Sequence, residues 1–268
     1  MLESRFAGSF AMRRLPVRDG VIVLSGLSAA AMLAWAYQLY MSWGMAHMEA
    51  GAAMAIMPRM TGWHAIDLLL VMAMWATMMA AMMLPSIVPM VLCFAFVSRN
   101  RFAQRAPYPS TSVFVLGYLA VWAAFSLFAT LAQWGLLEAR LVTPMMVSAT
   151  PWLAGTLLVI AGLFQLTPLK HACLGKCASP LGFILTEWRD GALGAWIMGC
   201  RHGAYCVGCC WLLMALLFVF GVMNVLWIAA LSIWIMFEKM RPQARWLPWA
   251  EAVLLVGWEW RKRTAEPM

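Results

Sequence analysis

Charged residues are scarce in this chain of 268 residues, of which Asp, Glu, Lys and Arg together make up only 11%. About a quarter of the residues of an ordinary soluble domain are charged. Acidic residues number just 11, and no polar stretch is long enough to form a soluble domain of its own. The scarcity therefore excludes an ordinary soluble globular protein.

Several functional motifs are also absent. The sequence has no recognisable Ser-His-Asp arrangement, phosphate-binding loop or dinucleotide fingerprint. It lacks the Cys-x-x-Cys-His motif of haem attachment. The net charge is +8, but no basic stripe interleaved with aromatic residues is present, as a nucleic-acid-binding surface would require. The sequence thus does not indicate an enzyme, a haem protein or a nucleic acid partner.

Hydrophobic residues are abundant instead, at 64% of the chain. They form runs of roughly 17–25 residues, separated by short segments that contain Arg or Lys, as in polytopic helical membrane proteins. A backbone in lipid must satisfy its own hydrogen bonds, so spanning segments become helices. We therefore expect residues 1–268 to form one transmembrane domain in a lipid bilayer.

The runs predict an all-α bundle of about six spanning helices. The predicted spans are residues 21–41, 67–97, 112–137, 151–166, 202–220 and 225–237. Pro85 and Pro89 predict a kink or an early end in the second span. Residues 187–196 are Gly-rich and predict an interfacial or re-entrant helix. Residues 246–260 predict an interfacial helix or a short seventh span at the C-terminus.

Basic residues predict the orientation. Residues 1–20 contain four arginines and no convincing cleavage site, so we expect an uncleaved cytoplasmic tail. Residues 42–66 would then form an external loop rich in Met and His. Thioether and imidazole groups can capture a soft metal ion there, although Met also packs apolar interiors. The residues predicted for capture are Met45, His47, Met48 and His64.

Six of the seven cysteines fall between Cys173 and Cys210, in a predicted core of residues 165–239. Helical spacing puts one set of soft ligands on a single face of the fifth span: His202, Cys206, Cys209, Cys210 and Met214. Cys173 and Cys177 are four residues apart, and His171 precedes them. If their connection folds back, three or four thiolates can meet. The predicted metal ligands are Cys173, Cys177, Cys206, Cys209, Cys210, His202 and His171.

Thiolates suit copper as Cu(I), and zinc is an alternative as a structural staple. Other interpretations remain open. A free cysteine can act as a small buried hydrophobe, which we expect for the isolated Cys93. The cysteines can also form a redox pair in a membrane thiol-redox protein. A structural disulfide is disfavoured because the predicted topology puts the cluster on the reducing side.

Three polar residues near the cluster predict structural contacts. Lys170 and Glu238 end predicted helices on the same side, so we expect an ion pair that joins the two helices. Gln165 lies about one turn further in and can bond to a neighbouring helix. Near the other end of the bundle, Asp67 can neutralise an entering cation or cap a helix, and we favour the cap.

Several segments, in this order, carry a resemblance to a known family. They are residues 79–85, residues 165–170, Cys173, Cys177, Pro180, residues 203–211, residues 213–214, residues 221–224 and residues 238–239. Together they resemble an uncharacterised bacterial family of integral membrane proteins described as predicted metal-binding, over about residues 67–239. The resemblance implies about six helices and a metal site, but no reaction. We expect the protein in the bacterial inner membrane, with its N-terminus in the cytoplasm.

These observations lead to one functional prediction. We expect an integral membrane protein that binds a soft metal ion, copper above all, through its cysteine cluster. It would transport the ion or deliver it to a partner protein, so a metal donor or acceptor is the expected protein partner.

Overall fold

The computed structural model describes residues 17–46, 64–102, 111–142, 151–222 and 224–241. These residues form an all-helical bundle, as predicted, and no β-strand occurs among them. The helices are α1 Val17–Ala46, α2 Ala65–Phe102, α3 Thr111–Glu138, α4 Pro151–Gln165, α5 Pro168–Ala178, α6 Pro180–Glu187, α7 Gly191–Ala215, α8 Leu217–Phe220 and α9 Val225–Met240. The C-terminal segment 246–260 lies outside the described residues.

Four of the described helices are long and apolar enough to cross a membrane: α1, α2, α3 and α7 with α8. Helices α4 and α5 are bent by 66° at the break between them and would add a fifth span if counted together. Helix α9 has only 16 residues. An all-helical chain with several apolar helices is thus confirmed, whereas the count of six spans is not.

Helix α2 corrects one prediction. A kink or an early end was expected at Pro85 and Pro89, and the early end is wrong, because the helix continues through both prolines to Phe102. Neighbouring groups in an apolar bundle can compensate for the backbone hydrogen bond that each proline removes. The start of α2 has the expected cap, since Asp67 accepts a hydrogen bond from the His64 backbone at 2.9 Å. This is the reciprocal half of a capping box.

Helix α7 corrects a second prediction. It begins at Gly191, although the fifth span was expected from His202 and residues 187–196 were expected to be interfacial or re-entrant. Glycine weakens an isolated helix, but here glycines allow α7 to pack closely on α3. A Cβ atom on Gly199 would lie 2.1 Å from the Phe114 carbonyl oxygen. One on Gly117 would lie 2.4 Å from the Trp196 carbonyl oxygen. Tertiary packing therefore overrides the local propensity.

A tight turn joins α8 to α9. Gly221 has a φ of 94°, a left-handed conformation that suits glycine. Asn224 then caps α9, because its side-chain oxygen accepts hydrogen bonds from the Leu226 and Trp227 backbones at 3.2 and 3.4 Å. The turn folds α9 back along the bundle, so that its last turn reaches α7 and α5.

Candidate metal centre

Cys206 lies near the middle of the apolar helix α7 and is fully buried. Its sulfur is 3.1 Å from the Lys239 ammonium nitrogen on α9. It is also 3.3 Å from the Tyr118 hydroxyl on α3. Three helices therefore meet at this one sulfur, which lies inside the bundle.

Three further thiols surround Cys206. Cys177 is buried on α5, which packs against α7 at Gly208. Cys209 and Cys210 lie three and four residues after Cys206 on α7, so the three thiols share one face of that helix. All four side chains are buried, with at most 6% exposed. We call Cys177, Cys206, Cys209 and Cys210 the thiol cluster.

The thiols of the cluster have different hydrogen-bonding roles. Cys209 and Cys210 each donate to the Cys206 carbonyl oxygen, at 3.1 and 2.9 Å. They are thus placed as neutral thiols within their own helix. The Cys206 sulfur, in contrast, accepts a hydrogen bond from the Lys239 ammonium group, which can act only as a donor. Cys206 is the sulfur best placed to carry negative charge.

A glycine brings α5 against α7. A Cβ atom on Gly208 would lie 2.9 Å from the Cys173 sulfur, so the missing side chain leaves room for Cys173. This contact sets Cys177, one turn further along α5, beside Cys206. Cys173 itself is only partly buried and lies at the edge of the cluster.

A buried ion pair connects α5 to α9 next to the cluster. The Lys170 nitrogen is 2.5 Å from the Glu238 carboxylate, and both side chains are at most 4% exposed. Lys170 also donates a hydrogen bond to Gln165 at the end of α4. Gln165 therefore bonds across the break between α4 and α5 and joins the ion pair.

His202 lies one helical turn before Cys206 and is 2% exposed. Aromatic rings surround it, with ring centroids of Phe183 at 5.2 Å and Tyr118 at 5.9 Å. Its Nδ1 atom has no hydrogen-bond partner among the described residues. A buried nitrogen of this kind is costly to leave unpaired and is free to accept a proton donor or a metal.

The remaining predicted ligands lie apart from the cluster or outside the described residues. His171 is exposed on α5. Of the predicted capture residues, Met45 is in the last turn of α1 and His64 is exposed at the start of α2. His47 and Met48 lie outside the described residues, so the capture prediction stays a prediction.

Two contacts of the centre were missed in the sequence. Tyr118 gave no signal, because an aromatic residue in an apolar span is usually packing. Lys239 was part of a segment that carries the family resemblance but was given no role at the site, yet it is 9% exposed and donates to Ser86 at 2.8 Å. The Met83 sulfur lies 3.9 Å from the same nitrogen. A charged residue ending an apolar run was the available signal for Lys239.

Chemically, the cluster offers soft sulfur ligands inside an apolar bundle. Soft thiolates favour Cu(I), for which two or three ligands suffice. A structural zinc site has four protein ligands around the ion. In the described part of the chain, no group of three or more His, Cys, Asp or Glu side chains is arranged to hold a metal ion. The zinc alternative thus gains no support, and pairs of adjacent thiols are the arrangement present.

Comparison with known proteins gives one match. Residues 72–261, which are 190 of the 268 residues, match the family model PpoB2, described as a copper chaperone. No curated protein and no solved structure matches the chain. The match includes every residue of the thiol cluster, together with Lys239 and the ion pair. It supports a copper-related function over zinc.

Proposed function

The chain belongs to the PpoB2 copper chaperone family, and on this premise we propose that it is a membrane protein that binds Cu(I) through its thiol cluster and delivers the ion to a partner protein. The packing of α5, which bears the buried Cys177, against α7, which bears the buried Cys206, carries the proposal. This packing brings soft ligands from two separate helices into one buried region of the bundle. The ion is cargo in this proposal, so the binding site must both accept and release it.

The membrane setting of the proposal is the bacterial inner membrane, with the basic segment 1–20 in the cytoplasm. Four long apolar helices support a bilayer location. The Met- and His-rich segment 42–66 would capture the ion on the external side, and the thiol cluster would receive it within the bundle. The partner is a metal donor or acceptor with soft ligands of its own.

Copper content per chain tests the proposal. We expect the purified protein, loaded with Cu(I) under reducing and anaerobic conditions against a competing chelator, to retain about one ion. Cys206→Ser should retain less than about a tenth of that, because a hydroxyl is a hard and neutral ligand. Cys93→Ser is the matched control, since Cys93 lies on α2 outside the cluster. Negligible copper in the unsubstituted protein, or equal copper in all three, would contradict the proposal.

The same two buried thiols, Cys177 and Cys206, support a second function, in a membrane thiol-redox protein. Oxidation would then join these two sulfurs in a disulfide and pass two electrons and two protons to an acceptor disulfide, which becomes a dithiol. Alkylation of the free thiols after oxidising and reducing treatments distinguishes the two functions. Copper delivery predicts that both thiols remain alkylatable once the protein is unfolded, whereas the redox function predicts reversible loss of both.

A further inference from the structure

Lys239 is a buried cation whose partners do not include a carboxylate among the described residues. Its ammonium nitrogen contacts the Ser86 hydroxyl, the Cys206 sulfur and the Met83 sulfur. An unpaired charge in an apolar interior is costly, so a buried lysine needs a negative partner. Of these three groups, only the Cys206 sulfur can become negative.

The neighbouring ion pair makes the charge count simple. Lys170 and Glu238 neutralise each other. Among the described residues of the centre, Lys239 is then the cation that remains for the cluster or its cargo to balance. Cys209 and Cys210, which donate to a carbonyl oxygen, remain neutral in this arrangement.

One kind of complex balances this charge. Two thiolates with one monovalent cation carry a net charge of −1, and Lys239 brings the sum to zero. The same two thiolates with a divalent cation are neutral, so Lys239 would leave an uncompensated charge of +1 in the bundle. The Coulomb energy of such a charge is large at low dielectric.

Resting on the proposed copper-binding function, we propose that Lys239 is the counter-charge of a two-thiolate Cu(I) complex formed by Cys206 and Cys177, and that it sets the selectivity for monovalent over divalent soft cations. Lys239 is a positioning residue here and not a ligand, because an ammonium group has no lone pair to donate. Its role is to make the loaded site neutral.

Metal affinities of two variants test this inference. Lys239→Gln removes the charge and keeps a donor for Ser86, and Lys239→Arg keeps the charge. We expect Lys239→Gln to bind Cu(I) about a hundredfold more weakly and Zn(II) no more weakly than the unsubstituted protein. Lys239→Arg should retain Cu(I) affinity within about tenfold. Silver(I), which is monovalent and redox-stable, serves as a second probe and should follow Cu(I).

The outcomes separate this inference from the function on which it rests. If the unsubstituted protein binds no Cu(I) or Ag(I), both the proposed function and the counter-charge role of Lys239 are contradicted. If Lys239→Gln binds Cu(I) as tightly as the unsubstituted protein does, or if its affinities for Cu(I) and Zn(II) fall equally, only the counter-charge role of Lys239 is contradicted. Should Lys239→Gln fail to fold, X-ray absorption at the copper edge of the unsubstituted protein decides. Two short sulfur neighbours support the inference, and three or four overturn it.

Discussion

Replacing Lys170 by Met is expected to lower the free energy of unfolding by about 3–5 kcal/mol, because it leaves the Glu238 carboxylate buried without its partner. Both side chains of this pair are almost completely buried, so water cannot take over the lost interaction. The substitution also removes the hydrogen bond from Lys170 to Gln165. The thermal midpoint of the detergent-solubilised protein measures the loss.

Two further variants show whether the loss comes from the unpaired charge. Lys170→Met combined with Glu238→Leu should recover most of the stability, since replacing both members of a buried pair with apolar residues is often neutral. Glu187→Gln is the matched control. It breaks the ion pair with Arg201, whose side chain is 46% exposed, and should cost less than about 1 kcal/mol. Equal losses from Lys170→Met and Glu187→Gln would contradict the argument.

Replacing Gly199 by Ala is expected to destabilise the bundle by about 3 kcal/mol, at the upper end of the range for overpacking. The added Cβ would lie 2.1 Å from the Phe114 carbonyl oxygen and 3.1 Å from the Tyr118 backbone nitrogen. These are backbone atoms of α3 and cannot rotate away, so α3 and α7 must separate. Tyr118 would then move from Cys206, and copper affinity should fall with stability.

Gly135→Ala is the control for Gly199→Ala. Gly135 lies on α3, and a Cβ atom there would meet nothing within 4 Å. Because alanine favours the helix more than glycine does, this variant should be neutral or more stable by about 0.5–1 kcal/mol. A thermal midpoint of Gly199→Ala that equals that of Gly135→Ala would show that the close contact between α3 and α7 does not limit stability.

The helical class and most helix positions could be predicted because they depend on long apolar runs. The start of α7 could not, since Gly199 weakens a helix locally and favours it only once α3 lies against it. The early end that was one of two alternatives for α2 is absent for a similar reason. Pro85 and Pro89 interrupt a helix in isolation but are accommodated in the bundle.

The site, like the helix ends, could be predicted only where it depends on local sequence. The spacing of Cys206, Cys209 and Cys210 predicted one helical face, and these three thiols do lie together. The approach of Cys177 was conditional on a folded-back connection, which requires the room left by Gly208. Periodicity within one helix cannot show which residue of a distant helix arrives at a given sulfur. The Lys239 contact with Cys206, across 33 positions, was therefore invisible in the sequence.

The burial of the thiol cluster has a kinetic consequence. Its four residues lie on α5 and α7 and are at most 6% exposed, and Tyr118 of α3 and Lys239 of α9 contact the Cys206 sulfur. In the proposed copper delivery, an acceptor protein that collides with the outside of the bundle cannot reach an ion held in the cluster. Release must wait for the bundle to open, for example by withdrawal of α5 from the Gly208 contact. The rate of copper transfer should therefore reach a ceiling as the acceptor concentration rises, and that ceiling is the opening rate of the protein itself.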